Sequence, residues 1–206
     1  MHKIAHIISY LFHPLFVPLY LGFVVLNSHY IFSFGSDLLI LKLLIKMAVY
    51  FLPAIGFTAI YMQLLKYFGI ISSFRMPTKE ERKIPLIFIT LLFGYIGYEI
   101  LNNNYEHKSF ALIFIISSLC MLFALLINFR FKISLHSIAM AAGTGYLYML
   151  LPYATINLMP VFVISLILTG IVGTARLILS SHSPFQVFTG YLLGWNVSMF
   201  SVIIMY

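Results

Sequence analysis

The sequence predicts an all-α integral membrane protein, a bundle of six to seven transmembrane helices. Three observations carry that expectation. Of 206 residues, 62% are hydrophobic and 8% are charged, against about 25% charged in a soluble domain. Mean hydropathy is +1.04, and a core of this size cannot hide so much apolar surface, so lipid must cover it. The few charges are confined to islands; the stretches 4–36, 47–65, 84–98, 109–129, 133–175 and 177–206 carry none. A spanning helix needs about 20 mostly apolar residues, and most of these stretches are near or above that length.

Seven helices follow from these stretches. The first is expected over about 4–27, kinked by His13-Pro14 and Pro18, because proline lacks the N–H that a helix interior uses. The second runs over about 38–66, after the turn signal Gly35-Ser36-Asp37. The third, about 85–102, starts at Pro85, and the fourth covers about 109–128. The stretch 133–175 is too long for one helix and breaks at Pro152, Asn157 and Pro160, giving helices at about 136–151 and 159–179. The last runs over about 184–206, with Pro184 in its first turn. The N-terminus lacks a small-residue cleavage site and reads as a retained helix. No linker or repeat divides the chain, so 1–206 reads as one domain. The single cysteine, Cys120, lies in an apolar run and reads as a small buried side chain.

The polar residues gather in three islands: 67–84, with Arg75 and Arg82; 129–136, with Ser134 and His136; and 176–184, with Arg176 and His182. Two helices separate each island from the next. All three therefore emerge on one membrane face, which is where an active site is expected. The formal charge of +7 on so apolar a chain points to anionic headgroups or phosphates. No basic stripe interleaved with aromatics exists outside the islands, so no nucleic acid is expected as a partner. Charges at helix ends rather than at mid-depth argue against a transporter or channel.

Each island suits an anion. Arg75 and Arg82 lie seven residues apart, two turns if that segment is helical, and guanidinium groups match phosphate oxygens bidentately. Ser134 is a candidate N-cap, placing His136 at a helix start, where unsatisfied N–H groups favour negative charge. His182 precedes the last helix, with Gln186 four residues on and able to accept a hydrogen bond from its ring. Such a bond fixes which ring nitrogen keeps the lone pair. Arg176 ends the preceding helix. No cluster of His, Asp and Glu has metal-ligand spacing, so neither metal nor cofactor is expected.

The order Arg75-x6-Arg82, Ile133-Ser134-Leu135-His136 and Ala175-Arg176-x5-His182-x3-Gln186 resembles the type 2 phosphatidic acid phosphatase superfamily of membrane lipid phosphatases. Its motifs are K-x6-R-P, P-S-G-H and S-R-x5-H-x3-D. The chain departs from them at several points. Arg75 stands for the lysine, Pro85 comes two residues late, Ile133 and Leu135 stand for proline and glycine, Ala175 for serine, and Gln186 for the aspartate. The resemblance implies metal-independent hydrolysis of a lipid phosphate or diphosphate in the bilayer. In that reaction His182 attacks phosphorus and forms a phosphohistidine, and His136 handles the proton of the leaving oxygen and later of water. Gln186 orients the His182 ring. Arg75, Arg82, Ser134 and Arg176 hold the phosphoryl oxygens, with Lys79 and Lys83 as auxiliary cations. The alternative is a weak or inactive relative that binds or carries a lipid phosphate, since an amide orients an imidazole but cannot neutralise it. Richness in Tyr, Phe, Ile and Asn suggests an AT-rich bacterial genome and so a bacterial cytoplasmic membrane. The excess of basic residues on the island face would put that face in the cytoplasm; basic residues kept there for a phosphate, and the outward-facing sites of bacterial members that the resemblance implies, leave the opposite orientation open.

Overall fold

The structure is a computed structural model, and it describes residues 1–30, 37–103, 108–154 and 156–205. Among these residues there are eight α-helices and no strand. They are α1 (His2–Leu11), α2 (Val17–Tyr30), α3 (Asp37–Tyr67), α4 (Lys79–Asn103), α5 (Lys108–Asn128), α6 (Leu135–Leu150), α7 (Met159–Ile178) and α8 (Pro184–Met205). Among the described residues four helical stretches are long and apolar enough to cross a membrane: Met47–Tyr67, Lys79–Asn102, Lys108–Asn128 and Met159–Ile178. Large apolar side chains such as Leu52, Leu91 and Ile167 stay exposed on them, as lipid-facing residues do.

Two sequence expectations are corrected. The helix expected over 4–27 is two helices, since the chain leaves helical geometry after Leu11 and resumes at Val17. Pro14 has no N–H to continue the ladder, and the turn is closed instead by Phe16 N–H on the His13 carbonyl (2.8 Å). The helix expected from Pro85 begins six residues earlier, at Lys79. Thr78 caps it, its Oγ1 accepting from Glu81 N–H at 3.4 Å, and Glu80 and Glu81 sit in the first turn where the helix dipole favours acids. Pro85 is therefore inside α4.

The chain divides into two compact units, Met1–Gly35 with Ile133–Tyr206, and Ser36–Lys132. In the second unit α4 packs along α5, with α3 against α4. Gly97 permits the α4–α5 approach: a Cβ there would stand 2.7 Å from Ile115 Cγ1. Ser118 Oγ–H bonds the Thr90 carbonyl across the pair (2.7 Å). Phe51, Phe110 and Phe114 form an aromatic cluster with centroids 4.9–5.8 Å apart.

In the first unit α6 is central, packing on α8, α7 and α2, while α1 lies on α7. Small residues set the α6–α8 distance, as is usual between helices in lipid. A Cβ on Gly194 would overlap the Ile138 carbonyl, and one on Gly190 would stand 2.9 Å from the Ser134 carbonyl. Polar bonds join the helices where no water competes. Ser198 Oγ–H bonds the Ala142 carbonyl (2.6 Å), Thr144 and Thr169 hydroxyls pair (2.9 Å), and Tyr191 O–H bonds the Thr169 carbonyl (2.7 Å). This frame brings the starts of α6 and α8 side by side.

Candidate functional site

The last two islands meet in the first unit. Ser134 N–H donates to the Gln186 carbonyl (3.3 Å), tying the entry of α6 to the first turn of α8. Ser134 is fully buried. Its Oγ accepts from Ser137 N–H (3.4 Å) and Ser137 Oγ–H (2.9 Å). It is the cap of α6.

The start of α8 is a reciprocal cap. Ser183 Oγ accepts from Gln186 N–H (3.4 Å), and Gln186 Oε1 accepts from Ser183 N–H (3.2 Å). The same Oε1 lies 2.9 Å from His182 Nδ1. A backbone N–H can only donate, so the amide atom facing both groups is the oxygen. His182 Nδ1 therefore carries the proton, and Nε2 holds the lone pair of the neutral ring. His182 is 8% exposed, so its tautomer is fixed in a largely dry setting. The turn that delivers it closes α7 with Ser180 N–H on the Leu177 carbonyl (2.9 Å) and Ser181 N–H on the Arg176 carbonyl (3.2 Å). Ser180 takes the left-handed conformation (φ 50°) that this closure requires.

His136, in the first turn of α6, lies outside the four candidate spans. Its Nε2 is 3.0 Å from the Ser9 carbonyl, an acceptor only, so Nε2 carries its proton. Arg176 Nη1 donates to Ser9 Oγ (3.2 Å). The His13 ring meets the His136 ring edge to face, centroids 5.5 Å apart. Burial, then the Arg176 cation, then His13 lower the proton affinity of His136, with a further lowering contribution from His182. The Ser9 carbonyl opposes them. His13, between α1 and α2, keeps an exposed edge, yet packing and then Arg176 lower its proton affinity too. With no carboxylate among these partners, both rings favour the neutral form.

The first unit thus gathers Ser134, His136, Arg176, His182 and Gln186. Arg75 and Arg82 belong to the second unit. Arg75 is exposed in a turn before α4, so the two arginines do not share a helix face. Arg82 is 5% exposed, and its Nε–H bonds the Met76 carbonyl (3.2 Å). Lys79 Nζ reaches the Arg130 carbonyl (3.4 Å), Lys132 Nζ the Pro77 carbonyl (3.1 Å) and Asn128 Nδ2 the Lys79 carbonyl (2.7 Å). These bonds pin the first island to the end of α5. Among the described residues no three His, Cys, Asp or Glu side chains gather to hold a metal ion.

Sequence reasoning missed Ser9 and His13. His13-Pro14 was legible only as a kink, because nothing local says that a histidine at a helix break will face another. Ser183 was missed as well, although the S-x-x-Q spacing from Ser183 to Gln186 is the signal that marks such a cap. Compared with protein-family models, curated proteins and solved structures, the chain has no significant match.

Proposed function

We propose that this protein hydrolyses a lipid phosphate or lipid diphosphate without a metal, through a phosphohistidine on His182. The observation that carries the reading is the pair of donors on Gln186 Oε1, which leaves the His182 lone pair on Nε2, in a unit that also holds Arg176 and His136. In this reaction Nε2 attacks phosphorus as the bond to the leaving oxygen breaks. Arg176 offsets charge that builds on the phosphoryl oxygens. The arriving anion raises the proton affinity of His136; the resulting imidazolium gives its Nε2 proton to the leaving oxygen. The neutral ring then takes a proton from the water that splits the N–P bond, releasing phosphate and restoring His182. Arg75 and Arg82 are tested on their own, by removing each charge.

The experiment is phosphate release from a panel of lipid phosphates by purified protein, with and without a chelator. Release is expected from at least one substrate, unaffected by the chelator, with a loss of about 10³-fold or more in His182→Ala, the scale of removing a nucleophile. Retained turnover in that variant would remove the assignment. A second reading, a binder or carrier of the same lipids, is favoured by the amide at Gln186 and by the engagement of His136 Nε2–H with Ser9. Binding of lipid phosphates without release from any of them would select it.

A further inference from the structure

Two bonds from candidate site residues converge on one residue of α1. Arg176 Nη1 donates to Ser9 Oγ (3.2 Å), and His136 Nε2–H donates to the Ser9 carbonyl (3.0 Å). Ser9 is 8% exposed. A cation and an imidazole N–H thus meet two acceptor oxygens only a few bonds apart. A phosphoryl group offers the same pair of donors the same thing: acceptor oxygens held close together on one centre, with charge added.

We propose that Ser9 occupies the place of a phosphoryl group, and that a phosphate ester binds by displacing its hydroxyl and carbonyl oxygens from Arg176 and His136. The inference rests on the hydrolase reading above. Its physical logic is twofold. A guanidinium N–H and a ring N–H held in a half-buried place each favour an acceptor, and the hydroxyl and carbonyl of Ser9 supply one to each. Those oxygens are neutral, so a phosphate anion outcompetes them, whereas a neutral headgroup gains little over what it displaces. Charge, rather than shape, is then what opens the site.

The element that carries Ser9 suits such a role. α1 has ten residues and is separated from α2 by the break around Pro14, so it can shift without dragging a long helix with it. Its packing on α7 is incomplete. An open apolar groove of about 450 Å³ lies between them, lined by Ile4, Ala5 and Ile8 of α1 and by Ile167, Ile171 and Ala175 of α7.

The test compares binding of a non-hydrolysable alkyl phosphonate to the full chain in detergent, by calorimetry, for wild type, Ser9→Ala and Ser9→Thr. Ser9→Ala removes the oxygen on Arg176 and should bind about tenfold more tightly, the scale of a hydrogen bond to a charged group. Ser9→Thr keeps the hydroxyl and should bind as wild type does. Equal or weaker binding by Ser9→Ala would overturn the proposal and make Ser9 a support of the site instead. If Ser9→Ala does not fold, Ser9→Cys, a far weaker acceptor of similar size, serves in its place with the same expectation. Unchanged binding alongside lipid phosphate turnover by the wild type would sink this inference alone. Failure of every form to bind the phosphonate would sink it together with the function it rests on.

Discussion

Gln186 answers two donors with one oxygen, and each has a separate consequence. Ser183 N–H makes the residue a helix cap; His182 Nδ1 makes it an orienting group. A carboxylate at this position would accept the same bonds and would also stabilise an imidazolium by charge. Glu is the substitution that keeps the reach of Gln, completes the same reciprocal cap and adds the missing charge. Gln186→Glu is therefore expected to raise turnover, by roughly tenfold if about 1.4 kcal/mol of imidazolium stabilisation is gained in the transition state, and to move the acid fall-off of activity to higher pH, because the carboxylate also favours the protonated, non-nucleophilic His182 ring. A rate profile against pH for both proteins checks this; a large loss would show that the amide itself is needed. His182 and Gln186 were legible as partners because four-residue spacing at a helix start brings side chains together. His136 was legible as a helix-start residue, but its partner was not. Ser9 lies 127 residues away, and no local pattern connects them.

At the scale of the element, α3 and α7 end by the same closure with different residues. Gly69 (φ 71°) follows α3, with Gly69 N–H on the Lys66 carbonyl (3.1 Å) and Ile70 N–H on the Leu65 carbonyl (2.9 Å). After α7 the equivalent position is Ser180, whose Cβ is strained in this conformation by about 1 kcal/mol. Ser180→Gly is thus expected to stabilise the protein by roughly 0.5 kcal/mol after the entropy glycine adds to the unfolded chain. Thermal unfolding in detergent measures it, and a lower unfolding temperature would mean that the hydroxyl contributes more than the strain removes. Helix existence was legible along most of the chain, because charge-free runs bounded by turn residues mark it. Boundaries at prolines were not. Pro14 broke a helix expected to kink, and Pro85 was absorbed into one expected to start there. Capping decides between these outcomes: Thr78, Glu80 and Glu81 supply a start upstream of Pro85.

For the whole molecule, stability should depend on the protonation of His136. Its folded-state proton affinity is lowered, so the unfolded chain binds more protons below the ordinary histidine value of about 6.5. The sign is then fixed: stability is highest above that pH and falls as pH drops through it. His136→Gln keeps an N–H for the Ser9 carbonyl and does not titrate, so its unfolding temperature should fall less steeply between pH 7.5 and 5. Equal slopes would place the acid sensitivity elsewhere. The membrane class was legible from composition alone, since apolar excess is a property of the sum. The spacing of the islands supported only the expectation of one shared face. It could not show which of them meet, because packing between distant helices is written in shape, in residues such as Gly190 and Gly194.

The length of α3 bears on how the protein sits in its bilayer. Its 31 residues extend roughly 46 Å at about 1.5 Å per residue, against about 30 Å of hydrocarbon. Among the described residues Met47–Tyr67 is the stretch that meets the demands of a crossing, and a helix longer than the hydrocarbon must lean or project past the acyl chains. A change in lipid thickness then acts on this rod as hydrophobic mismatch, altering its tilt. The turn that follows it, and Arg75 with that turn, would rise or sink with the thickness of the host membrane.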